Sequence, residues 1–456
     1  MKRDAGSRPR ILILGGGFGG MATARALEHI LRPDEADITV VSRENFSLFT
    51  PMLPEVSSGN LETRHVVTPV RAQLRRSQFI LADVRRIDLE AKTVEVTYTL
   101  TDDDQTLAYD QLVLAVGSVT STFGLPGVAE RALPLKTLED AERLRNHAIA
   151  MLEIAEGTAD PAARKRLLTF VFVGGGFTGV EAAGEMVDFF KSILRFYPRV
   201  APEEVEIYLI EGGKKLLPEL QAGMGEYSAS ALERRGVRVW LNAMVAGADD
   251  EALQLKDGRA LRTATIVWSA GIKPSPLVSG LSIATGRGGS IGVAPDLSVP
   301  GYPGVWAIGD CASIPGPGDK AFPATAQHAI REGPVLAANI AATLRGAATK
   351  PFDYEAMGMM ASLGGRRGVA GIRGRWLLTG WWAWALWRTY YLARLPGLDR
   401  RFRVAGDWTL GLLFPRDIAE LRVYTRRAHD FTQRDAGLAC DEESGRPLET
   451  GERASR

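Results

Sequence analysis

Ile11-Leu-Ile-Leu-Gly-Gly-Gly-Phe-Gly-Gly20 decides the fold, because it returns almost unchanged as Phe170-Val-Phe-Val-Gly-Gly-Gly-Phe-Thr-Gly179. Each copy is a short apolar run, a GxGxxG turn, and a stretch rich in small residues, Met21 to Ile30 and Val180 to Phe190. The unbroken apolar runs predict parallel strands covered on both faces, and the stretches after the turns predict helices. Gly15 and Gly174 permit the tight turn. Gly17 and Gly176 let the backbone approach a pyrophosphate, and Gly20 and Gly179 let helix and strand pack closely. Phe18 and Gly19 complete the first turn. A pyrophosphate there meets free N–H groups and the positive end of the helix dipole. A lone GxGxxG is a weak signal, since a tight βα turn needs no ligand. Two copies, each between a strand and a helix, predict two dinucleotide sites.

Both units run on to a second strand. Val205-Glu-Ile-Tyr-Leu-Ile210 ends at Glu211, whose carboxylate suits a ribose 2′-OH and repels a 2′-phosphate, favouring NADH over NADPH. A solvated strand-end acid is the alternative. Ile38-Thr-Val-Val41 ends instead at Ser42, and Glu44, two residues on, is the acid left to serve that ribose. Each unit also has a later strand ending in a glycine turn, Leu112 to Gly117 and Ile266 to Gly271. The small residues there, Ala115 with Gly117 and Ala270 with Gly271, let the chain cross close to a cofactor.

Composition narrows the rest. At 456 residues the chain holds two to four domains of ordinary size. A net charge of +1 gives no signal for nucleic acid. Cys311 and Cys440 form no CxxC and no disulfide framework, and five scattered histidines make no ligand cluster, so no metal is expected. The short basic start, Met1 to Arg10, leads into only four apolar residues, which is not a signal peptide. The sparse cysteines read as a cytosolic-facing chain, and no apolar run reaches the 18 or so residues of a spanning helix, so none is expected.

Val305-Trp-Ala-Ile-Gly309-Asp310, a strand ending in Gly-Asp, resembles the second FAD signature of the disulfide-reductase-like flavoproteins, where the Asp accepts a hydrogen bond from the ribityl chain. Within that superfamily, Arg10 to Arg427 resembles the type II NADH:quinone oxidoreductases, the single-subunit alternative NADH dehydrogenases. Phe49-Thr-Pro-Met-Leu-Pro54 is similar to that family's loop near the flavin, Gly174 to Glu181 to its GGGxTGVE pattern, Trp268-Ser-Ala-Gly271 to its second-domain turn, and Ala324-Thr-Ala-Gln327 to its AQ motif at the quinone site.

The resemblance implies an α/β fold with two Rossmann-like dinucleotide-binding domains and a C-terminal amphipathic helical membrane-binding region. It implies an FAD-binding domain at 8–120 and 299–355, an inserted NADH-binding domain at 121–298 and a membrane-interface or dimerisation region at 356–427, while the polar, aperiodic stretch at 428–456 is itself expected to be a disordered tail. Hydride passes from NADH to FAD, and two electrons pass on to a membrane quinone, ubiquinone or menaquinone, without proton pumping. By the same resemblance Ala326 and Gln327 line the quinone headgroup and contact FAD, with Phe49, Pro51 and Leu53 bordering that pocket. Glu181 lies between the nicotinamide and flavin sides and is a candidate proton relay. From the residues alone, the alternative for Gln327 is an ordinary helix-surface amide and the alternative for Glu181 is a capping acid. Thr325 is a reasonable N-cap for the helix that would aim its positive end at the flavin, and that helix is expected to continue past Pro334.

Between Ala361 and Arg427 stand thirteen arginines against four acids, and six of the nine tryptophans. Trp and Arg together suit a membrane interface, where rings lie at headgroup level and Arg stems snorkel. The uncharged run Trp376 to Trp387 is too short to span about 30 Å, so it is expected to form helices in the interface plane, drawn to anionic lipid. A homodimer interface or a basic protein-docking face is the alternative, and membrane binding and dimerisation are compatible. The expected location is the cytoplasmic face of the cell membrane. Three rival functions remain: a sulfide:quinone reductase, which needs a cysteine pair that Cys311 alone cannot supply; a flavoprotein passing electrons to a protein acceptor or oxygen; and a non-catalytic NADH sensor.

Overall fold

The computed structural model describes residues 8–221, 223–355, 358–372 and 376–420. Strand β1 (Arg10–Leu14), helix α1 (Phe18–Ile30) and strand β2 (Asp37–Ser42) open the chain. Short helix α2 (Leu53–Ser57) precedes a meander of β3 (Gln78–Asp88), β4 (Thr93–Tyr98) and β5 (Asp104–Ala108). Strand β6 (Gln111–Leu114) then returns to pair beside β1. β1 pairs in parallel with both β2 and β6, so Leu14 faces Val41 on one side and Leu114 on the other. Ile13 and Leu14 have no exposed surface. A strand covered on both faces needs no polar side, which is why its sequence does not alternate.

The second unit begins with helix α3 (Leu138–Gly157), started by a reciprocal capping box between Thr137 and Asp140. It continues through β7 (Thr169–Val173), α4 (Phe177–Ile193), β8 (Glu206–Ile210), β9 (Val237–Trp240) and β10 (Thr265–Trp268). Its sheet runs Leu133–Pro134, β10, β7, β8, β9, with every pair parallel. The chain then rejoins the first sheet through β11 (Val305–Ala307), completing the order β11-β6-β1-β2-β3-β4-β5. Helix α5 (Ala326–Leu344) has Thr325 as N-cap and carries Pro334 inside it. It lies hard against α1: a Cβ built on Gly333 would come within 2.8 Å of the Thr23 backbone nitrogen.

Three antiparallel strands follow, β12 (Gly358–Ser362), β13 (Gly368–Ile372) and β14 (Trp376–Thr379), then helices α6 (Gly380–Arg394) and α7 (Leu398–Leu413). This corrects the all-helical expectation for the uncharged run. Its first four residues are a strand, because β13 offers them a ladder, and Gly380, at φ 68°, turns the chain into α6. Trp387 and Trp408, from α6 and α7, enter the same apolar core as α2 and α4. The tail at 428–456, with Cys440, lies outside the described residues. Among the described residues no helix is long and apolar enough to cross a membrane, and no group of side chains is arranged to hold a metal ion.

Candidate active site

The first glycine turn opens on a cleft of about 1480 Å³. Gly15, Gly17, Phe18, Glu44, Ala115 and Gly117 all line it. Gly15 (φ 117°) lies so close to the β6 turn that a Cβ would fall 2.2 Å from the Ala115 carbonyl oxygen, and a Cβ on Gly20 would fall 1.9 Å from that of Gly15. A Cβ on Gly17 would meet nothing within 4 Å. Gly17 is also the N-cap of α1 and offers no side-chain cap, so the first-turn N–H groups are left for a ligand. Gly309 and Asp310 follow β11, which pairs with β6. The Asp310 carboxylate accepts from Ser118 Oγ at 2.6 Å and faces Lys136 Nζ at 3.5 Å, both of which line the cleft.

The second turn has the same construction. A Cβ on Gly179 would fall 1.9 Å from the Gly174 carbonyl oxygen, and one on Gly174 would fall 2.8 Å from the Ala270 nitrogen. Gly176 is the open N-cap of α4. Glu211 bends its carboxylate into the turn, accepting from the N–H groups of Gly175 (2.6 Å) and Gly213 (2.5 Å). Gly271, at φ 83°, is covered by the exposed ring of Phe123. Gly174, Gly179, Glu211 and Ala270 are thus gathered at one turn, as Gly15, Gly20 and Ala115 are at the other.

Glu181 is the fifth residue of α4 and is buried, so it is not a helix cap. Its Oε1 accepts from the Ser362 backbone N–H (2.9 Å) and from Trp387 Nε1 (2.8 Å). Burial pushes its carboxyl up to about 8, against the pull of those two donors. Two more buried carboxylates stand close by. Glu55 accepts from Asn60, Trp408 and Arg388, and burial raises it to about 7. Glu185 accepts from Arg416 (2.9 Å) and Ser58 (3.3 Å), and burial raises it too. Arg388 lies between the rings of Trp384 and Trp408, 4.5 and 4.4 Å from their centroids.

Rings connect this cluster to the cleft. Trp387 packs edge-on against Tyr391, Tyr391 against Phe49 and Phe49 against Phe18. Phe49 and Leu53 are buried, with Pro51 half-buried beside them. Ala326 and Gln327 sit half-buried at the start of α5, and Gln327 Nε2 donates to the Tyr354 hydroxyl at 2.6 Å. No hydrogen bond joins Gln327 to Glu181 among the described residues.

Sequence reading missed Lys136, Ser118, Glu332, Glu55, Glu185 and Trp387. Glu332 of α5 accepts from the Gly309 N–H at 2.7 Å, and burial raises it to about 7. No local pattern marks these residues, since each partner lies at least 18 positions away, except that Asn60 is close to Glu55. Cys311 is fully buried, its thiol near the Leu114 and Ile308 carbonyls and pushed up to about 12 by burial. It is therefore inert toward sulfide chemistry.

Two sheets, each with parallel strands around a glycine turn at a helix start, define a nucleotide-dependent oxidoreductase with two dinucleotide sites. Residues 9–333 match the family described as pyridine nucleotide-disulphide oxidoreductase, and residues 357–417 match the NDH2 C-terminal domain. The chain is 34% identical over 424 residues to the type II NADH:quinone oxidoreductase Ndh of Mycobacterium tuberculosis, covering 90% of this chain and 89% of that one. It is 32% identical to the type II NADH:quinone oxidoreductase of Staphylococcus aureus, covering 81% and 91%. The structure of NDH2 from Plasmodium falciparum in complex with NADH superposes with a TM-score of 0.83 over 91% of this chain and all of that one, at 22% identity, a likeness of fold. The chain belongs to the type II NADH:quinone oxidoreductases: a flavoprotein enzyme that oxidises NADH and reduces quinone. The cleft at Gly15 suits FAD, because the turn is closed to any Cβ at Gly15 and Gly20 yet leaves Gly17 open for a pyrophosphate, while Asp310 meets the cleft lining through Ser118 and Lys136.

Proposed function

We propose that the residues gathered here divide one reaction among three regions. Residues 8–120 and 299–355 hold FAD, residues 121–298 hold NADH, and residues 356–427 meet the membrane. When bound, FAD accepts hydride from NADH and returns two electrons to quinone, so the chain's own task is positioning, exclusion of water and proton supply.

In the first site Gly15, Gly17, Phe18, Gly19 and Gly20 cradle the pyrophosphate. Ala115 and Gly117 let the chain pass close to the isoalloxazine, Gly309 and Asp310 hold the ribityl chain, and Glu44 reaches the adenosine ribose. In the second, Gly174, Gly176 and Gly179 cradle the NADH pyrophosphate, Glu211 takes its ribose, and Ala270 and Gly271 border the nicotinamide. Ala326 and Gln327 present the positive end of α5 to the flavin and the amide to the quinone, with Phe49, Pro51 and Leu53 forming the apolar wall.

Glu181 supplies a proton to the quinone. The observation that carries this is a buried carboxyl held up to about 8, linked by Trp387, Tyr391, Phe49 and Phe18 to the FAD cleft. At neutral pH such a group is mostly protonated and can donate. The test is anaerobic NADH oxidation by the purified protein with and without a short-chain quinone. Strong quinone dependence, lost in Glu181→Gln and weakened in Gln327→Leu, supports the reading. Flavin reduction without turnover on any quinone would remove it and leave a protein acceptor.

Attachment is to the cytoplasmic face of the cell membrane, through anionic lipid. Trp376, Trp382, Leu398, Phe402 and Leu413 are each at least 70% exposed on the C-terminal elements, an apolar exposure that water does not reward. Arg394, Arg400, Arg401 and Arg403 accompany them. Sedimentation with anionic but not zwitterionic vesicles is the expected result. Self-association without any vesicle requirement would point to a homodimer on the same face.

A further inference from the structure

Three carboxylates are buried between α2, α4 and the C-terminal elements, and they are not equivalent. Glu55 has Arg388 as a cationic partner, and Glu185 has Arg416. Glu181 has none among the described residues. Its ionised form depends on N–H donors, and it has two, both on Oε1: the Ser362 backbone and the Trp387 indole. No hydrogen bond reaches its Oε2 among the described residues. Both donors come from the C-terminal region rather than from either nucleotide unit.

Trp387 suits such a task. An indole N–H is a donor only, and among the described residues this one has a single acceptor. The side chain is 2% exposed, and its ring is held edge-on to Tyr391 at 4.8 Å. The bond therefore cannot be exchanged for water without opening the core.

We propose that Trp387 is a positioning residue for quinone reduction, its indole N–H fixing the orientation and the acidity of Glu181. The inference rests on the reading of Glu181 as the proton donor. An N–H directed at a carboxylate stabilises the ionised form, so the bond makes Glu181 a stronger acid than its burial alone would allow. The other groups facing Glu181 are Glu55 on α2, Glu185 one turn on along α4, and Tyr391 on α6. The first two oppose ionisation and are themselves offset by Arg388 and Arg416. Trp387 and Ser362 are thus the features that favour proton release. Because both lie beyond the second nucleotide unit, the C-terminal region does more than attach the enzyme: it sets when the carboxyl lets go.

The test uses the full-length, FAD-loaded enzyme and a short-chain quinone, with reoxidation of the reduced enzyme followed by stopped flow across pH. Native protein shows a rate that falls at high pH as Glu181 loses its proton. Trp387→Phe keeps the ring bulk and removes the donor. It is expected to move the midpoint of that fall upward by about one pH unit, while FAD content and flavin reduction by NADH stay unchanged. Trp387→His, which restores a ring N–H, moves the midpoint back toward native.

A Trp387→Phe midpoint equal to native overturns the inference, provided Glu181→Gln abolishes the high-pH fall. If Glu181→Gln leaves the fall in place, the proton-donor reading itself fails and takes the inference with it. Should Trp387→Phe not retain FAD, the donor-retaining Trp387→His protein carries the test, and a midpoint displaced upward in it overturns the inference.

Discussion

The two nucleotide units are built on one turn and differ at everything the turn hands on to. Gly15 and Gly174 take φ values of 117° and 113°, and a Cβ on Gly20 or Gly179 would strike the preceding turn's carbonyl at the same 1.9 Å. Seven residues after its first glycine, however, α1 has Ala22, whose methyl packs against Gly333, whereas α4 has the buried Glu181. At the end of the second strand the first unit has Ser42 and the second has Glu211. The turn answers to a pyrophosphate, which FAD and NADH share. The helix interior and the strand end are where the units differ, and on the proposed reading that difference serves proton supply and the hold on the ribose.

The largest effect should come from breaking the shared part. Gly20→Ala forces a methyl onto backbone and is expected to cost more than ~3 kcal/mol and leave protein without FAD. Gly17→Ala meets no protein atom within 4 Å, so it should fold with a native melting temperature and yet bind FAD at least about tenfold more weakly. Flavin content and thermal melts of the two variants distinguish a turn closed by packing from one open for a ligand. Equal damage from both would mean that Gly17 is structural as well.

Next in size is the difference inside the helices. Glu181→Gln should slow quinone-dependent reoxidation by about 100-fold, within the usual range for loss of a positioned acid, and leave flavin reduction by NADH alone. Rapid-mixing measurement of the two half-reactions separates these. An equal loss in both would make Glu181 a structural residue of α4 and return the two helices to equivalence.

These features were unevenly legible in the sequence. The strand, turn and helix around each glycine set are written within ten residues, so Ile11 to Gly20 and Phe170 to Gly179 declared themselves. So did Thr325 as a cap, because capping is local. The strand Trp376–Thr379 did not, since an uncharged run of Trp and Leu serves a helix or a strand, and β13 makes the choice. Glu55 gave no sign of burial, because its Trp408 partner lies 353 residues on. Lys136 reads as a surface lysine until Ser118 and Asp310 are brought to it. Turn chemistry is local, whereas a buried carboxylate is a statement about the whole fold.

The same helix difference predicts a smaller effect on stability. Glu55 and Glu181 carry folded values of about 7 and about 8, above the ordinary 4.5. Through that window the folded protein holds more protons than the unfolded chain, so stability falls as pH rises from about 4.5 to 8. Melting temperatures should drop by several degrees between pH 5 and pH 8.5, and Glu181→Gln should flatten the drop. A melting temperature that rises over this range would mean that the carboxyls are ionised and well solvated.

The smallest effect tests the strand ends. Glu211 ties the second turn through its bonds to Gly175 and Gly213, whereas Ser42 Oγ in the first receives only a long 3.4 Å bond from the Glu44 N–H. Ser42 nonetheless stands where a carboxylate would be useful, since a Cβ on Gly16 would fall 2.9 Å from its Oγ, as one on Gly175 would fall 2.9 Å from Glu211 Oε2. Ser42→Glu therefore makes the first unit like the second, with a carboxylate able to reach the Gly16 N–H and the adenosine ribose. One added charged hydrogen bond at a half-exposed site should slow FAD release by about 2- to 10-fold. The reciprocal Glu211→Ser should loosen NADH by a similar factor and narrow the preference over NADPH, because the charge that repels a 2′-phosphate is gone. FAD release rates and the two nucleotide affinities measure both directions. If Ser42→Glu releases FAD faster, the first strand end is shaped around its serine, and Glu44 alone serves the ribose.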